Sequence, residues 1–259
     1  MVHAGVFHAD DLFCVAMAKR INPDIEVERV FRVPDVADDV IICDIGGGRY
    51  DHHQMDAETR ENGEKYAACT LFFRDFWNLL FPNERTAKSF ESTYLVPVER
   101  TDNGLGHNPL SSFLSSFNPN WDETETSDEK FQQALEATLT VLNTAIRSAE
   151  ADAKAEAAVP EAVTAAQDGV VVLPQFMPWK SVVCKNEEAK FVVFPSNRGG
   201  FNLQAVPPVA SSMDFRIKIP AETAEADGCT FVHPAGFMAT FESEDQAIEA
   251  GKELVNKEG

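Results

Sequence analysis

The chain has no CxxC pair, no excess of basic charge and no apolar run near the roughly 20 residues that cross a bilayer. Each absence removes a class of answer. The five cysteines, Cys14, Cys43, Cys69, Cys184 and Cys229, are odd in number and scattered. They argue against a disulfide framework or a thiolate zinc site and predict free thiols in a reducing cytoplasm. The opening MVHAGVFHADD lacks a basic segment followed by an apolar one, so no secretory signal is expected. Lys and Arg total 22 against 42 Asp and Glu, a net charge of −20. Such a surface repels long polyanions, which excludes a protein that grips long duplex DNA through many phosphates. Gly46, Gly47 and Gly48 do not lead into the Gly-Lys-Ser/Thr of a nucleotide P-loop. No internal repeat is visible, and no Ser–His or Cys–His pairing is needed to explain the chain.

What is present suits a folded α/β protein. With 44% hydrophobic residues and 19 phenylalanines among 259, the chain can bury a substantial core as one large domain or two moderate ones. Val2–Phe7 reads as a strand, Asp10–Arg20 as a helix, and Asp24–Phe31 and Asp39–Gly47 as two further strands. The buried-looking run Val40–Ile42 suggests a parallel sheet. Lys65–Phe81 and Thr86–Arg100 read as helices, the second kinked at Pro97. Thr126–Glu129 has capping-box spacing and opens a long helix with Phe131, Leu135, Leu139, Leu142 and Ile146 on one stripe.

An Ala- and Glu-rich stretch interrupted by Pro160 follows, read as a helical linker over 149–168. It would separate a domain at 1–148 from a smaller α+β domain at 169–259. Strand-like segments there are GVVVLP, KSVVCK, KFVVFPS, FNLQAVP and TFVHPAGFMATF, before a closing helix SEDQAIEAGKELV. Residues 171–220 hold six Lys or Arg against three Asp or Glu, a locally basic module on an acidic chain.

Three segments end expected strands or helices with metal-ligand residue types. They are HAGVFHADD, with His3, His8, Asp10 and Asp11; DIGGGRYDHHQ, from Asp44 to Gln54; and ERTDNG, with Asp102. In an open parallel sheet, ligands collect beyond the carboxyl ends of the strands, where Asp44 and His8 stand. Carboxylates and imidazoles without thiolates suit Mn²⁺, Mg²⁺, Fe²⁺ or Zn²⁺. The set is large enough for two ions sharing an aspartate, an arrangement suited to phosphoryl transfer. Plainer readings exist for single members. His3 lies near the chain start; Asp11 can cap a helix; Asp102 can belong to a turn; NRGG at 197–200 can be a hairpin loop; His233 can be a core residue.

DHH at Asp51–His53, after an aspartate that ends a hydrophobic run, resembles the DHH phosphoesterase superfamily. FHADD, CDIGG–RYDHHQ, TDNG, VLPQFMPWK and FVHPAGF are similar, in order and spacing, to the melanocyte-proliferating-gene family of metal-dependent hydrolases and exonucleases within it. The resemblance runs from Val2 to about Gly251. It implies an N-terminal parallel-sheet domain holding two metals, commonly Mn²⁺, with Mg²⁺ possible, and a smaller α+β domain closing over substrate. By position, Asp44 resembles the bridging ligand, His52 the metal-binding histidine and Asp102 the last ligand. His3, His8 and Asp44 would hold one ion; Asp10, Asp44, His52 and Asp102 the other. The chain departs from the superfamily in its first motif, with one extra residue between His3 and His8, and it has His8-Ala9-Asp10-Asp11 where the family writes His-Cys-Asp-Glu. His53, Asp51 and Asp11 are the implied catalytic candidates, with His53 facing substrate phosphate. Arg198, Gly199, Gly200, His233 and Gly236 match the substrate-binding groups.

The resemblance implies an enzyme that cleaves short oligonucleotides from one end by water activated between two metals, in a site between the domains. Trp179 and Phe201 are candidates to stack on bases. Rival readings keep the metals and change the substrate to pyrophosphate, polyphosphate or a cyclic dinucleotide, or make the chain a non-catalytic metal- or nucleotide-sensing protein. The partners expected are a short oligonucleotide or another phosphoester and no membrane, with a homodimer left open.

Overall fold

Helix α1 (Ala9–Ile21) starts where His8 is still extended, with Asp10 and Asp11 in its first turn and Lys19 and Arg20 in its last. That charge order complements the helix dipole at both ends. It follows β1 (Val2–His3), which pairs in parallel with β2 (Arg29–Val30). A computed structural model describes residues 1–37 and 39–258 and divides the chain into two units, Met1–Glu150 and Ala151–Gly259. It is a mixed α/β protein, with this short parallel sheet in the first unit and a five-stranded mixed sheet in the second.

The first unit is more helical than the sequence suggests. The segment expected as a strand over Asp39–Gly47 does not become one. It lies beside the chain start, through Met1 N to Ile41 O at 2.6 Å and Cys43 N to Met1 O at 3.0 Å, and then turns at Asp44. Too few ladder bonds form before that turn for a full strand. The expected helix over Lys65–Phe81 shortens to α2 (Ala68–Phe76) and a 3₁₀ turn at Trp77–Leu79. The segment around Pro97 becomes α3 (Glu84–Phe90), a π-helical turn (Glu91–Leu95) and α4 (Val96–Asp102). The widened turn sits where the Pro97 ring lacks an N–H and crowds the preceding turn. Helix α5 (Pro109–Ser115) is an addition to the sequence reading, although Asn108 then Pro109 is a helix-start signature.

Helix α6 (Ser127–Thr164) opens with the capping box: Thr126 N donates to Glu129 Oε2 at 2.7 Å, and Glu129 N to Thr126 Oγ1 at 3.2 Å. Its stripe of Phe131, Leu135, Leu142 and Ile146 is buried in the first unit's core with Phe7, Leu12, Phe13, Phe72 and Phe90. It continues without a break through Pro160, and the division between units falls within it.

The second unit's sheet has the order β3 (Val170–Val172), β4 (Phe191–Pro195), β5 (Phe201–Ala205), β7 (Met238–Phe241), β6 (Cys229–Val232), with only the β3–β4 pair parallel. One face packs Phe191, Leu203, Ala239 and Phe241 against Ala247, Ala250 and Leu254 of α8 (Glu244–Glu258). KSVVCK, expected as a strand, is instead the single helical turn α7 (Lys180–Val183). Its Val183 and the preceding Trp179 enter a small second cluster with Val171, Val192 and Phe194, and burial of that wedge outweighs β-propensity. No helix among the described residues is long and apolar enough to cross a membrane.

Candidate metal centre

Two of the three glycines of DIGGGRYDHHQ answer for the shape of that segment. Asp44 has φ of +59°, Gly46 +89° and Gly47 +71°, a left-handed stretch that glycine adopts without strain. A side chain on Gly46 would meet Val33 Cγ2 at 2.8 Å. The loop turns back on itself: Asp44 N donates to Tyr50 O at 2.7 Å, and Gly47 N to Asp51 Oδ2 at 2.6 Å. Asp44, a non-glycine residue in the left-handed region, thereby aims its carboxylate at the same centre as His52.

Asp44 stands between two clusters. One carboxylate oxygen is 3.2 Å from His3 Nε2, the other 3.2 Å from His52 Nε2. On the first side, His3, His8 and Asp11 each offer a ligand atom within 4.8 Å of one another, and His3 Nε2 is 2.7 Å from Asp11 Oδ2. On the second side, Asp10, His52 and Asp102 do the same, with His52 Nε2 3.1 Å from Asp102 Oδ2 and 3.7 Å from Asp10 Oδ2. Asp44, His52 and His53 form a third such group. His3, His8, Asp10, Asp44, His52 and Asp102 thus converge, and Asp11 sits beside the His3–His8 pair where the sequence reading had put only Asp44. Asp11 also accepts His8 N at 3.2 Å, the cap role that the sequence left open.

Asp51 plays a different part. Its Oδ1 receives His53 N at 3.2 Å and contacts His53 Nδ1 at 2.7 Å, while Oδ2 holds Gly47. It fixes the loop and the His53 ring; His53 itself is 63% exposed on its side chain and lines the cleft. That cleft has a volume of about 560 Å³ and is bordered also by His3, His8, Asp44, Asp102 and Ser111.

The electrostatics require a cation or protons. Burial, with Asp44 and Asp102 nearby, pushes the Asp10 carboxyl well above its usual range. Burial likewise raises Asp11. Hydrogen bonds to Asp11 and Asp44 push His3 up to about 10. Burial opposes the charge on His52, but contacts with Asp102 and Asp44 prevail and push it up to about 11. Burial also works against ionised Asp44, yet His3 and His52 hold it down to about 2. Without a metal, then, the carboxylates keep protons on both histidines. Asp11 Oδ1, Asp44 Oδ1 and His52 Nε2 are buried without a well-formed hydrogen bond. Buried potential ligand atoms left without hydrogen-bond partners, all oxygen and imidazole nitrogen, fit divalent cations of the Mn²⁺, Mg²⁺ or Zn²⁺ type.

Supporting contacts come from far along the chain. Asn118 clamps Phe7 at both backbone groups, accepting its N–H at 3.0 Å and donating to its O at 2.8 Å. Arg29 donates to Gly5 O at 2.7 Å, so the segment entering His8 is pinned on both sides. Asp10 accepts Ala68 N at 3.0 Å and Cys69 N at 2.7 Å, which satisfies the start of α2. Fully buried Glu99 accepts from Ala67 N, Thr70 Oγ1 and Arg60, tying α4 to α2 one turn before Asp102. Ser111, 6% exposed with an unpartnered hydroxyl, borders the cleft. Sequence reasoning missed Asn118, Glu99 and Ser111. Only the Asn-Pro start of α5 offered a local signal, and only for Ser111.

The substrate-binding candidates lie in the second unit. Arg198, Gly199 and Gly200 form the β4–β5 hairpin turn. A side chain on Gly200 would collide with the Phe241 carbonyl, so that glycine serves close strand packing. His233 Nδ1 accepts Ala235 N at 3.1 Å and its ring lies 4.2 Å from that of Phe237, tilted by 47°. Gly236 closes the turn after β6, donating to His233 O at 2.8 Å. Trp179, expected to stack on bases, is 2% exposed and packs in the core, and Phe201 is partly buried against the α8 side of the sheet.

Comparison with known proteins follows the same span. The family model MYG1_exonuc, described as "Uncharacterised protein family (UPF0160)", matches residues 1–254. The chain is 26% identical to MYG1 protein YER156C of Saccharomyces cerevisiae, over 96% of this chain and 93% of that one. It is 25% identical to MYG1 protein C694.04c of Schizosaccharomyces pombe, over 98% and 96%. It is 23% identical to MYG1 exonuclease of Homo sapiens, over 96% and 84%. No solved structure matches. With the family model matched over nearly its whole length, the chain belongs to the MYG1 family.

Proposed function

We propose that the protein is a two-metal phosphohydrolase of the DHH type that cleaves short oligonucleotides from one end. The observation that carries this reading is Asp44, with one oxygen toward His3 and the other toward His52, each at the edge of its own ligand group. His3, His8 and Asp11 would hold one cation; Asp10, His52 and Asp102 the other; Asp44 would join them. Two such cations supply Lewis acidity and a water of lowered pKa. Mn²⁺ is the proposed metal, on the chemistry of the donors and the resemblance to the superfamily. Relatives named MYG1 exonuclease support the nuclease class.

The chain's own residues do the positioning. Asp51 holds His53 Nδ1, which leaves Nε2 free to face the scissile phosphate. When that ring is protonated, its N–H offsets charge growing on phosphate oxygen. Ser111 offers a hydroxyl to the same cleft. The first unit is the proposed catalytic domain. The second is proposed to bind substrate, Arg198 meeting phosphate while Gly199, Gly200, His233 and Gly236 shape the turns around it. Five free cysteines accord with a cytoplasmic setting.

The test is incubation of the purified protein with Mn²⁺ and end-labelled RNA and DNA oligomers of two to ten nucleotides. Stepwise release of mononucleotides, lost in Asp44→Asn, is expected. Orthophosphate released from pyrophosphate with oligomers intact would move the assignment to a phosphoanhydride. Metal binding with no phosphoester turned over would leave a sensing or structural role.

A further inference from the structure

The second unit carries an open cleft on the face of its sheet opposite α8. Its volume is about 640 Å³, within the range of small-ligand sites. Strand register explains it. Phe194, Asn202, Thr240 and Phe231 stand abreast across β4, β5, β7 and β6, with Gln204 and Met238 in the next row. At the β3–β4 side this face is covered by Trp179, Val183, Ala155 and Val159. Over β5, β7 and β6 that cover ends, and Phe176 and Phe231 are left 58% and 45% exposed at the cleft.

The polar groups there are ready for a ligand. Asn202 accepts the Thr240 hydroxyl at 3.2 Å, which leaves its NH₂ free. Among the described residues, the Gln204 amide and the Arg198 guanidinium have no partner. Among the described residues, Arg198 is the one charged residue lining the cleft and no Asp or Glu lines it, on a chain of net charge −20. Exposed aromatics, amides that read base edges and a lone cation among no anions form one chemistry. Rings stack on the faces of bases, amides meet their edges, and the guanidinium meets a phosphate. Phe176 and Phe231 also lie in VLPQFMPWK and FVHPAGF, two segments for which the metal centre has no use.

We propose that this sheet face is a base-stacking platform for single-stranded oligonucleotide, with Phe176 and Phe231 as the stacking rings. It deepens the nuclease reading and rests on it for the class of substrate. The experiment uses the full chain in EDTA, so that nothing is cleaved, and titrates it into a fluorescein-labelled adenosine pentanucleotide and an abasic oligomer of the same length. The base-bearing oligomer is expected to bind at least ten-fold tighter. Phe176→Ala and Phe231→Ala should each weaken it by about 5- to 100-fold and leave the abasic oligomer unchanged; Phe231→Tyr should retain binding. With Mn²⁺, the two alanine variants should raise KM for the pentanucleotide and leave cleavage of the abasic oligomer, which has no ring to stack, as it was. Equal binding of the two oligomers, or alanine variants that bind as the parent does, overturns the platform. The two readings separate cleanly: absence of Mn²⁺-dependent cleavage in the parent chain refutes the hydrolase, while the titration in EDTA needs no turnover.

Discussion

Asp44 is the residue on which the centre turns, and its chemistry gives the first prediction. His3 and His52 are held protonated in the metal-free protein, with pKa values pushed to about 10 and 11. A cation needs their lone pairs, so metal binding at pH 7 should expel at least two protons per protein, one from each histidine. Calorimetric titration of Mn²⁺ in buffers of different ionisation enthalpy reads this directly; apparent heats that do not depend on the buffer would refute it. The sign for affinity follows, since fewer protons to displace means tighter metal as pH rises toward 10. For the metal-free fold the sign is reversed. Histidines whose folded pKa lies above the unfolded value of about 6.5 give stability that is complete below that pH and lost as pH climbs through 10 and 11. Asp44, depressed to about 2, gives stability present above the unfolded value of about 3.9 and lost as pH falls through 2. A second prediction concerns Asp44→Asn. The amide keeps the shape, and it could neither neutralise the two proposed cations nor hold both histidines charged. Bound metal, counted by atomic emission, should drop below that of the parent. Cleavage should fall by more than the roughly 10- to 100-fold typical of losing an outer-shell partner.

Among the elements, α4 shows how a candidate ligand is placed by contacts outside its own motif. Asp102 ends α4, and Glu99 one turn earlier is buried with Arg60, Thr70 and the Ala67 amide as partners. Glu99→Ala should cost roughly 3–5 kcal/mol in urea unfolding, because Arg60 and the start of α2 lose a buried partner together. Glu99→Gln, which retains an acceptor, should cost less; equal costs would mean that charge, not hydrogen bonding, holds the joint. The α/β class, helix α1, the Thr126 capping box and the stripe on α6 are all legible in sequence, because each depends on residues within a few positions of one another. The candidate ligands were legible for the same reason, clustered in HAGVFHADD, DIGGGRYDHHQ and ERTDNG. What was not legible depends on distant partners. Lys180–Val183 has strand-forming valines, yet Trp179 needs a turn there to reach its pocket. Asn118 touches Phe7 across 111 positions, and no local pattern announces that. Trp179 looked like a stacking ring from composition alone; only the packing shows it inside and Phe176 and Phe231 outside.

At the scale of the whole molecule, charge decides what substrate can approach. The net charge is −20, so an oligonucleotide is repelled at long range before any local cation meets it. A nuclease with a basic groove loses affinity as salt rises, since counterions released from phosphate oppose binding. Here the long-range term has the opposite sign. The Debye length shrinks from about 30 Å at 0.01 M salt to about 10 Å at 0.1 M, which screens the repulsion while leaving close contacts, such as the one proposed between Arg198 and a phosphate, largely intact. The association rate with a pentanucleotide should therefore rise over that interval, and rise more steeply for a decanucleotide that brings more negative charge. Stopped-flow fluorescence with labelled oligomers at fixed free Mn²⁺ measures it. A rate that falls with salt for both lengths would mean that a local positive field governs approach. Length selection would then reside in the cleft geometry, with no contribution from the acidic surface. A rising rate makes the acidic shell itself a filter, one that admits the last few nucleotides of a degrading strand more readily than the strand it came from.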